Sequence, residues 1–300
     1  MAKTRTVESD DGTQLALHVS DGRAETEEAV VFVHGATFGS RPAFAAPGHS
    51  WLAACADRGR AAYAVDVRGY GDSERPAALD ADPGGEVPVR AETAVEDLLA
   101  ALAFARERHE RLHLVGYSWG SMIAGRACER GADIASVTLY APVYQPAPER
   151  VSEFELPDAP APTRTATRVE VRDRWDQQLP KPERHRTDAA FNAFWETLHD
   201  GQGVPADEPM VEAPNGTLAD LTAAAEGTPP YDAAAVTVPT LVVRGSLDRT
   251  ATRPDGLGLY DALGADDREY TEIAGGSHFL ALERRREVLF DRVAAFHDRQ

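Results

Sequence analysis

The chain has 300 residues, 43% hydrophobic and 7% aromatic, with 24 Gly and 20 Pro spread without a period. That composition supports a packed core and excludes disordered, collagenous and low-complexity chains. Against 31 basic residues stand 49 acidic ones; the net charge of −18 repels phosphate backbones and anionic lipid surfaces, and argues against nucleic-acid and membrane partners. Two cysteines, Cys55 and Cys128, are too few for a disulfide framework and fall in stretches that read as helices, so they are expected as reduced core thiols. The first ten residues are polar and lack the apolar run of about 7 to 15 residues that a signal peptide needs. No run of about 18 apolar residues occurs anywhere. The chain therefore reads as soluble and cytoplasmic.

Residues 4–19 alternate apolar and polar side chains around Asp10-Asp11-Gly12, the pattern of an antiparallel hairpin. An apolar strand over 29–33 is followed by a helix over 50–58 and a strand over 61–67. Next comes an amphipathic helix over 92–109, with Val95, Leu98, Leu99, Leu102 and Phe104 on its apolar positions. A strand over 112–116 leads directly into a helix over 122–130, and 135–140 is a further strand. Strands apolar on both faces, alternating with helices, imply a mainly parallel sheet covered by helices. The rhythm then breaks. Residues 145–236 hold no buried strand, are rich in Pro, Arg and acidic residues, and carry helical pieces at 169–179 and 188–199. A structureless loop of that length does not suit a compact domain, so the segment is expected to be a mostly helical inserted cap, with the core formed by 1–144 and 237–300. Alternation resumes with a strand over 240–244, a helix over 256–263, a strand over 268–273 and a closing helix over 280–298.

Chemistry concentrates in the loops after the strands. Gly116-Tyr117-Ser118-Trp119-Gly120 fits G-x-S-x-G between a strand and a helix, a sharp turn that strains the serine backbone and exposes its hydroxyl. The flanking glycines are required because side chains there would collide with neighbouring backbone. A serine hydroxyl needs a base oriented by a carboxylate. Of nine histidines, His278 alone lies in a glycine-containing loop directly after the last strand, and Asp248 follows the preceding strand in Gly245-Ser246-Leu247-Asp248. Attack on a carbonyl also needs two backbone N–H groups aimed at the developing oxyanion. These are expected from Trp119 and from His34-Gly35-Ala36-Thr37, with Ala36 the first candidate and Thr37 the second. His34, at the end of a buried strand, is expected to shape that loop rather than act as a base.

On these motifs, together with the Asp66-Val67-Arg68-Gly69-Tyr70-Gly71-Asp72-Ser73 turn, the chain resembles a serine α/β-hydrolase of the capped kind. The motifs run from Val30 to His278 in the family's order of nucleophile, acid and histidine. More narrowly, His34-Gly35-Ala36-Thr37 with the Ser118-Trp119-Gly120 elbow and Ala213-Pro214-Asn215-Gly216 resembles a bacterial group of hydrolases. The resemblance implies an eight-stranded sheet with an antiparallel second strand, no cofactor and no metal, and a structural role for Asp66 and Arg68. Serine rather than aspartate at 118 argues against haloalkane dehalogenase and epoxide hydrolase chemistry.

Substrate contacts are expected from Thr37, Tyr117, Trp175 and Trp195. The 145–236 segment also contains Phe154, Phe191, Phe194 and Tyr231, and Phe191, Phe194, Trp195 and Leu198 form one helical stripe whose first reading is packing onto the core. Arg164, Arg168, Arg172 and Arg174 are expected to be solvated or paired with nearby acids. The implied reaction is hydrolysis of a small hydrophobic ester, thioester or lactone through an acyl-enzyme. Two alternatives stay open: the same triad used for carbon-carbon cleavage, elimination or cyclisation, and a ligand receptor with little turnover.

Overall fold

The computed structural model describes residues 2–20, 26–153, 156–199 and 210–300. Phe154, one of the aromatic residues singled out above, lies outside the described residues. The strands in chain order are β1 (Lys3–Glu8), β2 (Gln14–Ser20), β3 (Glu28–Val33), β4 (Ala61–Val65), β5 (Arg111–Tyr117), β6 (Ser136–Tyr140), β7 (Thr163–Thr167), β8 (Met210–Pro214), β9 (Thr240–Gly245) and β10 (Arg268–Ile273). Eight of them make one sheet in the order β1-β2-β4-β3-β5-β6-β9-β10. Pairing is antiparallel for β1 with β2 and for β2 with β4, and parallel from β4 across to β10. The central strands are buried along their whole length, as a sheet covered on both faces requires.

Helices α1 (Ser40–Phe44), α2 (Trp51–Asp57), α3 (Ala91–Arg106) and α4 (Trp119–Glu129) belong to the first half of the sheet, and α9 (Arg253–Ala262) and α10 (Arg286–His297) to the second. Two apolar layers result. One packs α3 and α4 against Val31, Val33, Leu112, Leu114 and Val137; the other packs Trp51, Phe44, Phe290 and Phe296 against Phe32, Val115, Leu241 and Val243. Cys55 and Cys128 are free thiols in these layers, and burial pushes both up to about 12. No helix among the described residues is long and apolar enough to cross a membrane.

The structure departs from the sequence reading in three places that bear on the site. Helix α4 begins at Trp119, directly at the serine turn, because Gly120 lies where an added Cβ would sit 2.4 Å from the Val33 carbonyl oxygen. The closing helix is broken: a 3-10 turn at Leu280–Leu282 precedes α10, and Glu283 between them turns its carboxylate inward to Ser277 and Trp175. Between β6 and β9 lie α5 (Arg168–Asp176), α6 (Pro182–His185), α7 (Asp188–His199) and α8 (Gly216–Ala225), but also the antiparallel ribbon of β7 and β8. Those strands escape sequence reading because β7 alternates threonine with arginine and alanine, and no residue of it is fully buried.

Aromatic residues join this inserted segment to the core. Val171, Trp175, Phe191, Phe194, Trp195 and Leu198 cluster with Phe38, Phe279 and Leu282. Phe38 meets Phe194 edge-on at 4.8 Å, and Trp175 stacks on Phe279 at 4.9 Å. The stripe on α7 therefore packs, as its spacing suggests.

Candidate active site

Strand β5 ends at Tyr117 and α4 starts at Trp119, leaving Ser118 alone to reverse the chain. Its φ of 55° and ψ of −120° lie in a region that a residue with a Cβ occupies only under strain. The turn is held by Ser118 N–H donating to the Tyr140 carbonyl at 2.9 Å and by Ser121 Oγ donating to the Ser118 carbonyl at 2.5 Å. Glycine at 116 is equally forced, since a Cβ there would lie 2.5 Å from the Gly120 oxygen.

The structure brings the three expected side chains together from three separate loops. His278 Nε2 lies 2.9 Å from Ser118 Oγ, and His278 Nδ1 lies 2.9 Å from Asp248 Oδ2. A carboxylate only accepts, so Nδ1 carries the proton and Nε2 is free to accept from the serine hydroxyl. Asp248 Oδ1 accepts from the Thr250 and Ala251 N–H groups, both at 2.8 Å. All three residues are buried, with Ser118 6% exposed.

The loop after β3 is fixed by hydrogen bonds to its carbonyls. His34 Nε2 accepts from Val67 N–H at 3.1 Å, so its Nδ1 carries the proton donated to the Gly35 carbonyl at 2.7 Å. The Ala36 carbonyl accepts from Tyr70 Oη at 2.8 Å and from Arg164 Nη2 at 2.6 Å. In a trans peptide the N–H points opposite to its carbonyl, so pinning Gly35 O and Ala36 O also sets the directions of the Ala36 and Thr37 N–H groups. Trp119 is the first residue of α4, where an N–H has no intrahelical partner. Among the described residues neither the Ala36 nor the Trp119 N–H has an acceptor. Asp66 and Arg68 brace this end of the sheet. Asp66 accepts from Ser40 N–H at 2.6 Å, Asp72 N–H at 3.0 Å and His18 at 2.8 Å, while Arg68 pairs with Asp97 at 2.6 Å and Asp11 at 2.5 Å.

Of the four side chains expected at a substrate, Tyr117 directly precedes Ser118, and Thr37 is buried with its Oγ1 3.5 Å from Arg164 Nη2. Tyr117 lies against the His278 ring at 5.2 Å, donates to the His278 carbonyl at 3.0 Å, and lines a small apolar cavity with Phe38, Phe44, Phe194 and Phe279. Burial pushes its hydroxyl pKa up. The expectation for Trp175 and Trp195 requires correction: both are packed away. Trp175 is fully buried and donates Nε1–H to Glu283 Oε1 at 2.9 Å, and Trp195 is buried beside Phe191 with a ring separation of 6.3 Å.

Several residues around the site escape sequence reasoning. Glu283 binds Ser277 at both Oγ and N–H, burial raising its pKa while those bonds oppose the rise. Gln178 Oε1 accepts the His278 N–H at 3.0 Å, and Arg244 donates to the Asp248 carbonyl at 2.8 Å. Asp220 accepts from Trp119 Nε1 at 2.9 Å. Each contact joins residues far apart in sequence, and no local pattern announces it. The arginines divide: Arg172 pairs with Asp188 at 2.6 Å and Arg174 is solvent-exposed, as expected, with its guanidinium 5.7 Å from the Phe38 ring, whereas Arg168 donates to the Asn192 amide oxygen at 2.6 Å and Arg164 to the Ala36 carbonyl.

A buried serine on a strained strand-to-helix turn thus stands beside a histidine and a carboxylate on a mainly parallel eight-stranded sheet. The sequence matches the alpha/beta hydrolase family model over residues 30–292, and the chain belongs to that family. No protein of curated function matches it in sequence. Among solved structures it is similar to a serine hydrolase of the polyaromatic-hydrocarbon-degrading bacterium Cycloclasticus zankles (TM-score 0.71, 13% identity, 99% of this chain and 98% of that one). It is also similar to a thermophilic esterase of Thermogutta terrifontis (0.61, 17%, 99% and 98%) and to a meta-cleavage product hydrolase (0.67, 13%, 99% and 98%).

Proposed function

We propose that the protein is a cofactor-free serine hydrolase that cleaves a small carboxylic ester, thioester or lactone through an acyl-enzyme. The observation that carries this reading is the Ser118–His278–Asp248 chain of contacts, each 2.9 Å, at a strained serine turn. His278 Nε2 takes the Ser118 proton as Oγ bonds to the substrate carbonyl carbon. The resulting oxyanion is held by the Ala36 and Trp119 N–H groups. The tetrahedral intermediate then expels the alkoxide or thiolate, which His278 protonates. Water, deprotonated by His278, attacks the acyl-enzyme and releases the acid and free Ser118. Asp248 keeps the imidazole in the reactive tautomer and stabilises the imidazolium. Residues 145–236 act as the cap over this site, and the partner is a small molecule.

The test is a panel of chromogenic esters, thioesters, lactones and diketones with the wild type and Ser118→Ala. Turnover of an acyl substrate is expected in the wild type, with a loss on the order of 10⁶-fold in Ser118→Ala if the three residues act as a unit. Turnover of the diketones alone would assign the triad to carbon-carbon cleavage, and no turnover at all would leave a receptor.

A further inference from the structure

We infer that the substrate carries a carboxylate away from its reacting carbonyl, and that Arg174 of the inserted segment binds it. The inference rests on the hydrolase reading of the Ser118 site and deepens it. In a chain with 49 acidic and 31 basic residues, carboxylates are available to nearly every arginine. Neighbouring arginines take them: Arg172 pairs with Asp188 and Arg186 with Asp176, both at 2.6 Å. Arg174 does not. Among the described residues its guanidinium makes no hydrogen bond and no ion pair. Its carbon stands 5.7 Å from the ring centroid of Phe38 and 5.7 Å from that of Phe279. Those two rings follow Thr37 and His278 directly in sequence, so the cation lies between the loop with the proposed oxyanion donor and the loop with the proposed base. The same rings line the small apolar cavity shared with Tyr117 and Phe194.

The charges facing Arg174 strengthen the argument. The titratable groups that act on it are the Tyr117 hydroxyl and the like-charged Arg164. Arg164 likewise has no carboxylate: its donors go to the Ala36 and Pro214 carbonyls, Asn215 Oδ1 and Thr37 Oγ1. Both guanidinium groups thus stand without a carboxylate partner, and an incoming anion gains attraction from each of them. Arg174 keeps solvent-accessible surface, so a ligand can reach it. A planar fork of N–H donors fits a carboxylate in two-point fashion, and the apolar rings on either side suit a short hydrocarbon link between that carboxylate and the carbonyl over Ser118.

The experiment compares a monoester of a short dicarboxylic acid with its neutral diester. In the wild type kcat/KM is expected to favour the monoanion by about 10- to 100-fold, the worth of a charge-assisted hydrogen-bonded pair. In Arg174→Gln that preference ratio should collapse toward one, and in Arg174→Lys it should be intermediate, since charge returns without the fork. In parallel, calorimetry on Ser118→Ala measures binding of free glutarate, and binding should be lost when Arg174→Gln is added. A wild type that turns over the diester without preferring the monoanion, or an Arg174→Gln variant with an unchanged ratio, overturns the inference and leaves the hydrolase reading standing. Glutarate binding that depends on Arg174, without turnover of any ester, keeps the carboxylate site and removes the hydrolase reading. Loss of the ratio together with loss of the native thermal transition in Arg174→Gln, but not in Arg174→Lys, moves the decision to the lysine variant: an intermediate ratio supports the inference and a wild-type ratio refutes it.

Discussion

Trp175→Phe tests whether the inserted segment holds His278 in place. Trp175 is fully buried, donates to Glu283 at 2.9 Å and stacks on Phe279 at 4.9 Å; Glu283 in turn grips Ser277. Both chain neighbours of His278 are therefore fixed through this one indole. Phenylalanine preserves the stack but removes the donor and part of the ring. A hydrogen bond to a charged or buried acceptor contributes about 1.5 to 3 kcal/mol, and the unfilled volume adds roughly 1 kcal/mol. The expected destabilisation is about 3 kcal/mol, and the midpoint of thermal unfolding should fall by roughly 6 to 12 °C. A loosened His278 should also lower kcat by about tenfold with little change in KM, because misplacing a catalytic group costs rate rather than ground-state binding. Differential scanning calorimetry and steady-state kinetics on one preparation read both effects. A variant that melts like the wild type, or one that is destabilised while keeping full kcat, would refute the reasoning.

Trp195→Ala should cost about 3 to 5 kcal/mol of stability and leave the ratio of kcat/KM for long-chain over short-chain esters unchanged; altered chain-length selectivity with an unchanged melt would place Trp195 in the pocket instead. Asp248→Asn should slow turnover by about 10⁴-fold, since the amide favours the wrong His278 tautomer, and wild-type rates would remove Asp248 from the site. Burial, with Arg60 adding, holds the His113 imidazole down at about 4, and burial with the neighbouring His113 also lowers His297, on which it stacks at 4.3 Å. The unfolded imidazole titrates near 6.5, so the unfolded chain binds more protons between those values. Stability is complete above about pH 6.5 and is lost as the pH falls toward 4. Urea unfolding should give a free energy at pH 5 lower than at pH 7.5 by about 2 kcal/mol from His113 alone, a difference that His113→Leu should reduce; equal pH slopes in the two proteins would exclude it.

The core was legible because its signals are local. Fully apolar runs such as 29–33 and 240–244 announce buried strands, and the residues that reverse the chain at Ser118 are contiguous. The triad could be assembled because each member stands in the loop just after a strand, at a place that strand order dictates. What was not legible depends on contacts across the fold. Strands β7 and β8 pair only with each other and carry no apolar pattern strong enough to mark them. Glu283 breaks the last helix because its partners, Ser277 and Trp175, lie on two other segments. Trp175 and Trp195 look alike as large aromatics, yet only the packed structure shows that neither reaches open space. For Arg164 and Arg174, sequence supplies plentiful acids nearby and cannot tell which arginines those acids leave without a partner.

The most direct test of the central claim is covalent labelling with a fluorophosphonate, read by peptide mass spectrometry. One adduct is expected, on Ser118, formed at a rate that falls sharply in His278→Ala, with no adduct in Ser118→Ala. A label on another serine, or labelling of Ser118 that is indifferent to loss of His278, would contradict the assignment of Ser118 as the nucleophile and His278 as its base.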